Sequence, residues 1–190
     1  MGMRTNIGHR LGGTSPDSEN TLRAAIARFE ETGNRQFRYW ETDVRESIDG
    51  QLFCYHDDRI GDDDLCGMRW DEISISGEIR GIEIPLLNDV VSLLGDRDER
   101  LMIEIKHLQS DKGRQLVLDI ASSRQDWNLM ATPRRFKISF PGESLLDWTQ
   151  KFQDKGETIV RVGRHHVNLF RASASVIGWW YAQPAWCFGL

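Results

Sequence analysis

The chain has 190 residues, enough for one domain that buries about 70% of the surface its unfolded form exposes. With 28% charged and 39% hydrophobic residues it has the composition of an ordinary globular protein. Its net charge of −5 argues against broad electrostatic attraction to nucleic acid or an anionic membrane, so an anionic ligand would have to be held by local cations.

Cys54, Cys66 and Cys187 have no CxxC spacing and are odd in number, which predicts reduced thiols and a cytoplasmic setting. No secretory apolar region follows Met1, no apolar run is long enough to span a bilayer, and Asn6 stands where a myristoylation signal needs Ser or Thr.

In chain order, a first strand is predicted at about 4–9, then a turn through Gly12-Gly13-Thr14-Ser15-Pro16-Asp17-Ser18. Helix one is placed at about 19–32, with Ser18 as N-cap, Leu22, Ala25, Ile26 and Phe29 on one face, and Gly33 at its end. The second strand, 37–44, puts Trp40, Thr42 and Val44 on one side and Tyr39, Glu41 and Asp43 on the other. Asp49-Gly50 signals a hairpin turn into a third strand at 52–56. Residues 57–83 read as an irregular, acidic cap over the site, with a short helix near 70–73.

Pro85 opens the next helix through Leu86, Leu87, Val90, Val91 and Leu94. A fourth strand at 101–106 leads to a helix at about 110–123. A fifth strand is placed at 136–140, a helix at about 143–155, and a sixth strand at 158–162. Beyond Gly163 the reading is a helix through Ala174, then two apolar runs, 176–181 and 185–190, that suit strands seven and eight. Strands alternating with helices predict a parallel α/β fold, and polar residues at strand C-terminal ends favour a TIM (β/α)8-type barrel over an open sheet. The short tail makes that barrel compact or incomplete at its C-terminus. An exposed barrel edge would favour pairing of two copies into a homodimer.

The strand ends carry the chemistry. Glu41 and Asp43 lie two residues apart on one strand, about 7 Å from side chain to side chain. Two such acids repel unless a cation lies between them or one stays protonated. Glu104 closes another strand in the same pattern, and three carboxylates with water suit Mg²⁺ or Ca²⁺. His9 and His56 each close a strand and are each followed by a charged residue, Arg10 and Asp57, so they suit an acid/base couple. Asp57 either orients a ring or begins the acidic loop. Arg10 can take phosphate oxygens bidentately, and Lys106 can act as a point charge toward developing negative charge; both could also pair with the carboxylates. Glu19 and Asn20, at a helix start, serve either capping or support of the site.

These clusters (His9-Arg10, Glu19-Asn20-Thr21, Glu41-Thr42-Asp43-Val44, Asp49-Gly50 before His56-Asp57, Ile84-Pro85-Leu86-Leu87 and Ile103-Glu104-Ile105-Lys106) resemble the glycerophosphodiester phosphodiesterases over about residues 5–140. The resemblance implies a TIM barrel forming a single domain over 1–190, with a small insertion after the third strand at about 57–84. It implies one divalent metal ion, Ca²⁺ or Mg²⁺, held by Glu41, Asp43 and Glu104, with His9 and His56 as the acid/base pair and Arg10 and Lys106 on the phosphate. The implied reaction is hydrolysis of a small phosphodiester to an alcohol and a phosphomonoester. Two other readings stay open: a lyase like phospholipase D that stops at a cyclic phosphate, and a truncated barrel that binds phosphorylated ligands without turnover. The chain departs from the family pattern at Leu11, where a Gly follows His-Arg in relatives, and at Ser18, where relatives carry Pro. The family's closing Thr-Asp-x-Pro segment is absent, and its Trp-Thr-x-Asn signature is at best echoed by Trp179-Trp180-Tyr181.

Overall fold

The computed structural model describes residues 6–124, 126–131 and 133–142, together with the backbone of three strands further on. Its elements in chain order are α1 (Leu22–Ala27), β1 (Trp40–Glu46), β2 (Leu52–Cys54), β3 (Arg59–Ile60), β4 (Asp63–Asp64), α2 (Trp70–Arg80), α3 (Leu87–Leu94), β5 (Leu101–His107), α4 (Asp111–Ser122), β6 (Trp127–Met130) and α5 (Pro133–Ser139). The three further strands are β7 (Glu157–Arg161), β8 (Asn168–Ala172) and β9 (Ser175–Val176).

The central sheet is mixed, with strand order β2-β1-β5-β6. β1 pairs in parallel with β5, and β5 with β6, whereas β2 returns antiparallel to β1 through the turn that Asp49-Gly50 signals. Gly50 takes a φ of 82° there, which a side chain would oppose. Trp40, fully buried, meets Phe37 edge-on at 4.8 Å, and this core continues through Val44, Leu101, Ile103, Ile105 and Trp127. α3 covers it with Leu87, Val90 and Leu94, and α4 with Val117, Ile120 and Ala121, the stripe expected of helices packed on a sheet. Among the described residues the sheet does not close into a barrel.

Several expectations are corrected. Residues 6–9 form no strand; His9–Gly12 is a tight helical turn in which Arg10 and Leu11 take φ of 49° and 55°. The Asn6 side chain replaces a ladder: its Nδ2 donates to the Tyr39 carbonyl at 2.9 Å, while its Oδ1 accepts from Gly8 N and Arg38 N. Gly8 then accepts from Glu41 N at 2.9 Å and lies so close to the Tyr39 carbonyl that a Cβ would collide with it. Helix one is shorter than expected and is capped by Thr21, whose Oγ1 accepts from Ala24 N at 3.1 Å. Ser18 instead accepts from Thr14 N and Ser15 N, tightening the preceding turn.

The expected fifth strand at 136–140 is helical. Pro133 opens α5, a position where its missing N–H is no loss. β6, earlier in the chain, is the strand that follows β5 in the sheet and the third of its parallel strands, with Leu101 opposite Trp127 and Ile103 opposite Leu129. The sixth strand is present as β7 but pairs antiparallel with β8, replacing the expected helix through Ala174. The residues 162–167 between them are too few for the crossover a parallel pair requires. The calls at 143–155, 176–181 and 185–190 fall wholly or largely outside the described residues.

Between β2 and α3 the chain is more regular than its composition suggests. α2 runs a full 11 residues and ends at Gly81, where φ is 69°. Phe53, Ile60, Leu65 and Ile73 form a second small core beneath it. The Glu83 carboxylate accepts from Leu22 N at 3.2 Å, fastening this segment to the start of α1.

Candidate functional site

Period-2 alternation puts Glu41 and Asp43 on one face of β1, and Glu104 and Lys106 on one face of β5. The parallel register sets Asp43 directly opposite Glu104, so the three acids meet on one side of the sheet. All three are buried, Glu41 completely. One carboxylate oxygen from each lies within 4.8 Å of the others.

Two cations share this pocket. Lys106 Nζ lies 2.7 Å from Glu104 Oε1 and 3.0 Å from Asp43 Oδ1. The left-handed turn at Arg10 aims its own N–H at Glu41 Oε2, at 2.8 Å, while its Nη1 meets the Glu19 carboxylate at 2.5 Å. Arg10 Nε is buried 3.7 Å from Asp43 Oδ2, too far for a hydrogen bond, and has no hydrogen-bond partner among the described residues. Ion pairing with the acids and an available phosphate donor therefore coexist on the same side chain.

The electrostatics follow from this packing. Burial, then repulsion from Asp43 and Glu104, pushes the Glu41 carboxyl well above its ordinary range. Burial also raises Glu104, against the pull of Lys106. Burial would raise Asp43 too, but Lys106, His56, Arg10 and the Asn20 bond together hold it below the ordinary range. Burial opposes the charge on Lys106, yet Asp43 and Glu104 more than compensate and raise it.

Asn20 holds Asp43 in place. Fully buried and at a φ of 59°, it donates from Nδ2 to Asp43 Oδ2 at 2.8 Å, and its Oδ1 accepts from Asp43 N and Thr42 Oγ1. Of the two roles open to Asn20 in the sequence, support of the site is the one the geometry shows. His9 Nε2 lies 3.5 Å from Glu41 Oε2; burial, reinforced by Arg10 and Lys106, lowers its pKa to about 4 against the pull of Asp43. His56 Nδ1 lies 2.6 Å from Asp57 Oδ1, so Asp57 orients the ring. With Asn20, Glu19 and Tyr55, His56 and Asp57 line a narrow cleft beside the acids.

The donor set suits a hard divalent cation. It consists of carboxylate oxygens, and Glu41 Oε1 is buried with no hydrogen-bond partner among the described residues. Three acids against Lys106 and Arg10 also leave a deficit of positive charge that a divalent ion would reverse. The structure brings all seven candidate residues to one region, and of the two roles open to Asp57 in the sequence it shows the one that orients the His56 ring; the pairing of Glu19 with Arg10 is not foreseen from the sequence.

The Glycerophosphoryl diester phosphodiesterase family model matches residues 9–162. Among solved structures, a glycerophosphodiester phosphodiesterase from Agrobacterium tumefaciens is 26% identical with a TM-score of 0.53, over 72% of this chain and 61% of that one. A glycerophosphodiester phosphodiesterase from Parabacteroides distasonis is 19% identical with a TM-score of 0.53, over 75% and 63%, and shows likeness of fold alone. The chain thus spans less than two thirds of either. A comparison with curated protein sequences yields no match.

Proposed function

This chain belongs to the glycerophosphoryl diester phosphodiesterase family, and on that premise we propose that it hydrolyses a glycerophosphodiester-like substrate to an alcohol and a phosphomonoester. The observation that carries the reading is the trio Glu41, Asp43 and Glu104, with oxygens within 4.8 Å and Glu41 Oε1 unpartnered. These residues would hold one Ca²⁺ or Mg²⁺, which when bound acts as a Lewis acid toward phosphoryl oxygen.

The remaining groups divide the work. Arg10 Nε, buried and without a hydrogen-bond partner, is placed to donate to a phosphate oxygen, and Lys106 supplies a fixed positive charge beside it. His9, kept neutral by burial, is suited to take a proton from the attacking water as the new P–O bond forms. His56 acts in its imidazolium form: its Nδ1–H donates to Asp57, and its Nε2–H gives a proton to the departing alkoxide as the old P–O bond breaks. The barrel that relatives imply is represented here by the mixed sheet and its helices. Among the described residues no helix is long and apolar enough to cross a membrane.

The test is turnover of a glycerophosphodiester followed by phosphorus NMR, with cation added or chelated, in the parent, His9→Ala, His56→Ala and Glu41→Ala proteins. Loss of activity by about 10²- to 10⁴-fold is expected in each histidine variant. Hydrolysis that survives His9→Ala, Glu41→Ala and excess chelator would refute the assignment. A cyclic phosphate that persists as the final product would replace hydrolase by lyase.

A further inference from the structure

We propose that Arg45 is a positioning residue for His56, and that it fixes the imidazole through the backbone on which His56 sits. The inference rests on the acid/base role of His56 proposed above. Arg45 is a buried arginine, only 3% exposed, at the end of β1 where the pairing with β5 slips by one residue after Val44.

Its guanidinium is spent almost entirely on the His56 segment. Nε donates to the Tyr55 carbonyl at 3.1 Å, and Nη2 donates to the His56 carbonyl at 2.7 Å and to Asp58 Oδ1 at 2.7 Å. Tyr55 N also donates to the Asp43 carbonyl at 3.1 Å. The chain has left β2 at Cys54, so no ladder holds Tyr55 and His56; these bonds take its place. Arg135 of α5 grips the other side of Asp58, with Nη2 donating to Oδ2 at 2.9 Å and Nη1 lying 2.9 Å from Oδ1. The loop that carries His56 is thereby tied to β1 and, through Asp58, to α5.

A planar, forked cation meets two carbonyls and a carboxylate at once, which a lysine ammonium on a flexible stem does less well. The ring itself is oriented separately by Asp57, so two devices act on His56: Arg45 sets where the ring is, and Asp57 sets which way it points. A misplacement of about 1 Å in a reacting group lowers rate by about 100-fold.

The experiment compares the full chain, with cation at saturation, as parent, Arg45→Met, Arg45→Lys, His56→Ala and Arg45→Met/His56→Ala. Arg45→Met is expected to lower kcat by about 10- to 100-fold with KM changed by less than about three-fold. Arg45→Lys is expected to fall between it and the parent. In the Arg45→Met background, His56→Ala should cost less than about a tenth of its effect in the parent. The His56 ring resonances should be single in the parent and broadened or doubled in Arg45→Met. A folded Arg45→Met protein with kcat within about two-fold of the parent, or losses that multiply with His56→Ala, would overturn the proposal. If Arg45→Met does not fold, Arg45→Lys carries the same cycle. If His56→Ala leaves kcat unchanged, the role of His56 fails. The ring resonances then decide separately whether Arg45 holds the loop.

Discussion

Glu41→Gln should make the cation-free protein more stable and remove most of the stabilisation a cation gives. Glu41 is fully buried with an oxygen within 4.8 Å of oxygens on Asp43 and Glu104. Two unit charges at that separation repel by about 3.5 kcal/mol at an effective dielectric constant of 20. Lys106 and Arg10 offset part of this, and the raised Glu41 carboxyl shows that protonation relieves more, so the neutral isostere should release about 1–2 kcal/mol. For a chain of this size that lifts the thermal midpoint by about 2–8 °C. A cation at 100 times its Kd adds about 2.7 kcal/mol to the parent, or about 5–11 °C. The assay is thermal unfolding in chelator, then in Ca²⁺ or Mg²⁺, with ionic strength matched by a monovalent salt. Equal cation-induced shifts in parent and Glu41→Gln would refute the reasoning, and so would a parent that the cation leaves unmoved.

Four further outcomes follow from groups outside the acidic trio. Glu46→Ala should destabilise the protein by about 2–4 kcal/mol in urea unfolding, because the buried carboxylate accepts from Gln109 N at 2.6 Å, Ser110 N at 2.9 Å and Ser110 Oγ. Gly113→Ala should do likewise, since a Cβ there would run into the same carboxylate. Asp58 is held below the ordinary carboxylate range by its hydrogen bonds to Arg135 and Arg45. Its contribution is therefore full above an unfolded value of about 3.9 and is lost as pH falls below it; thermal unfolding against pH should show a shallower acid limb in Asp58→Asn. At neutral pH that variant should lose no more than about 1 kcal/mol, because Asp58 is half exposed. Burial pushes the Cys54 thiol up to about 12, so alkylation at pH 8 followed by mass spectrometry should modify exposed Cys66 and spare Cys54 until the chain unfolds.

The parts of the fold legible in the sequence are those in which a short period and a chemical signal coincide. β1 and β5 alternate apolar and polar residues and end in charge, a pattern that puts Glu41 and Asp43 on one face of the first and Glu104 and Lys106 on one face of the second. What stayed hidden depends on backbone that leaves regular structure. Arg10 and Leu11 adopt positive φ with no propensity to mark them, whereas Asn20 does so as a residue type enriched in that region. The contact between His56 and Asp57, one of the two roles the sequence left open to Asp57, forms because the strand has already ended and neighbouring residues no longer diverge. The apolar residues 136, 138 and 140 satisfy a strand period, but after Pro133 the chain is helical through residue 139. Ile75 and Ile79 of α2 point to solvent and blur its amphipathic pattern, so the sequence marks only a short part of that helix.

Burial alone does not separate an acid built for stability from one built to bind, and β1 carries both kinds. Glu46, at 1% exposure, has donors for both carboxylate oxygens and caps the turn into α4. That arrangement makes a buried charge worth keeping in a fold. Glu41, five residues earlier on the same strand, has one oxygen satisfied by Arg10 N and the other facing two more acids with no donor among the described residues. Hydrophobic substitution or a single lysine would answer the needs of packing at that position better than a third carboxylate. A buried oxygen left without a donor, beside repelling neighbours that Asn20 and Lys106 hold in place, is the arrangement expected where the missing partner is an ion. The difference between Glu46 and Glu41 therefore lies in what each oxygen faces, and it assigns the first to the fold and the second to the site.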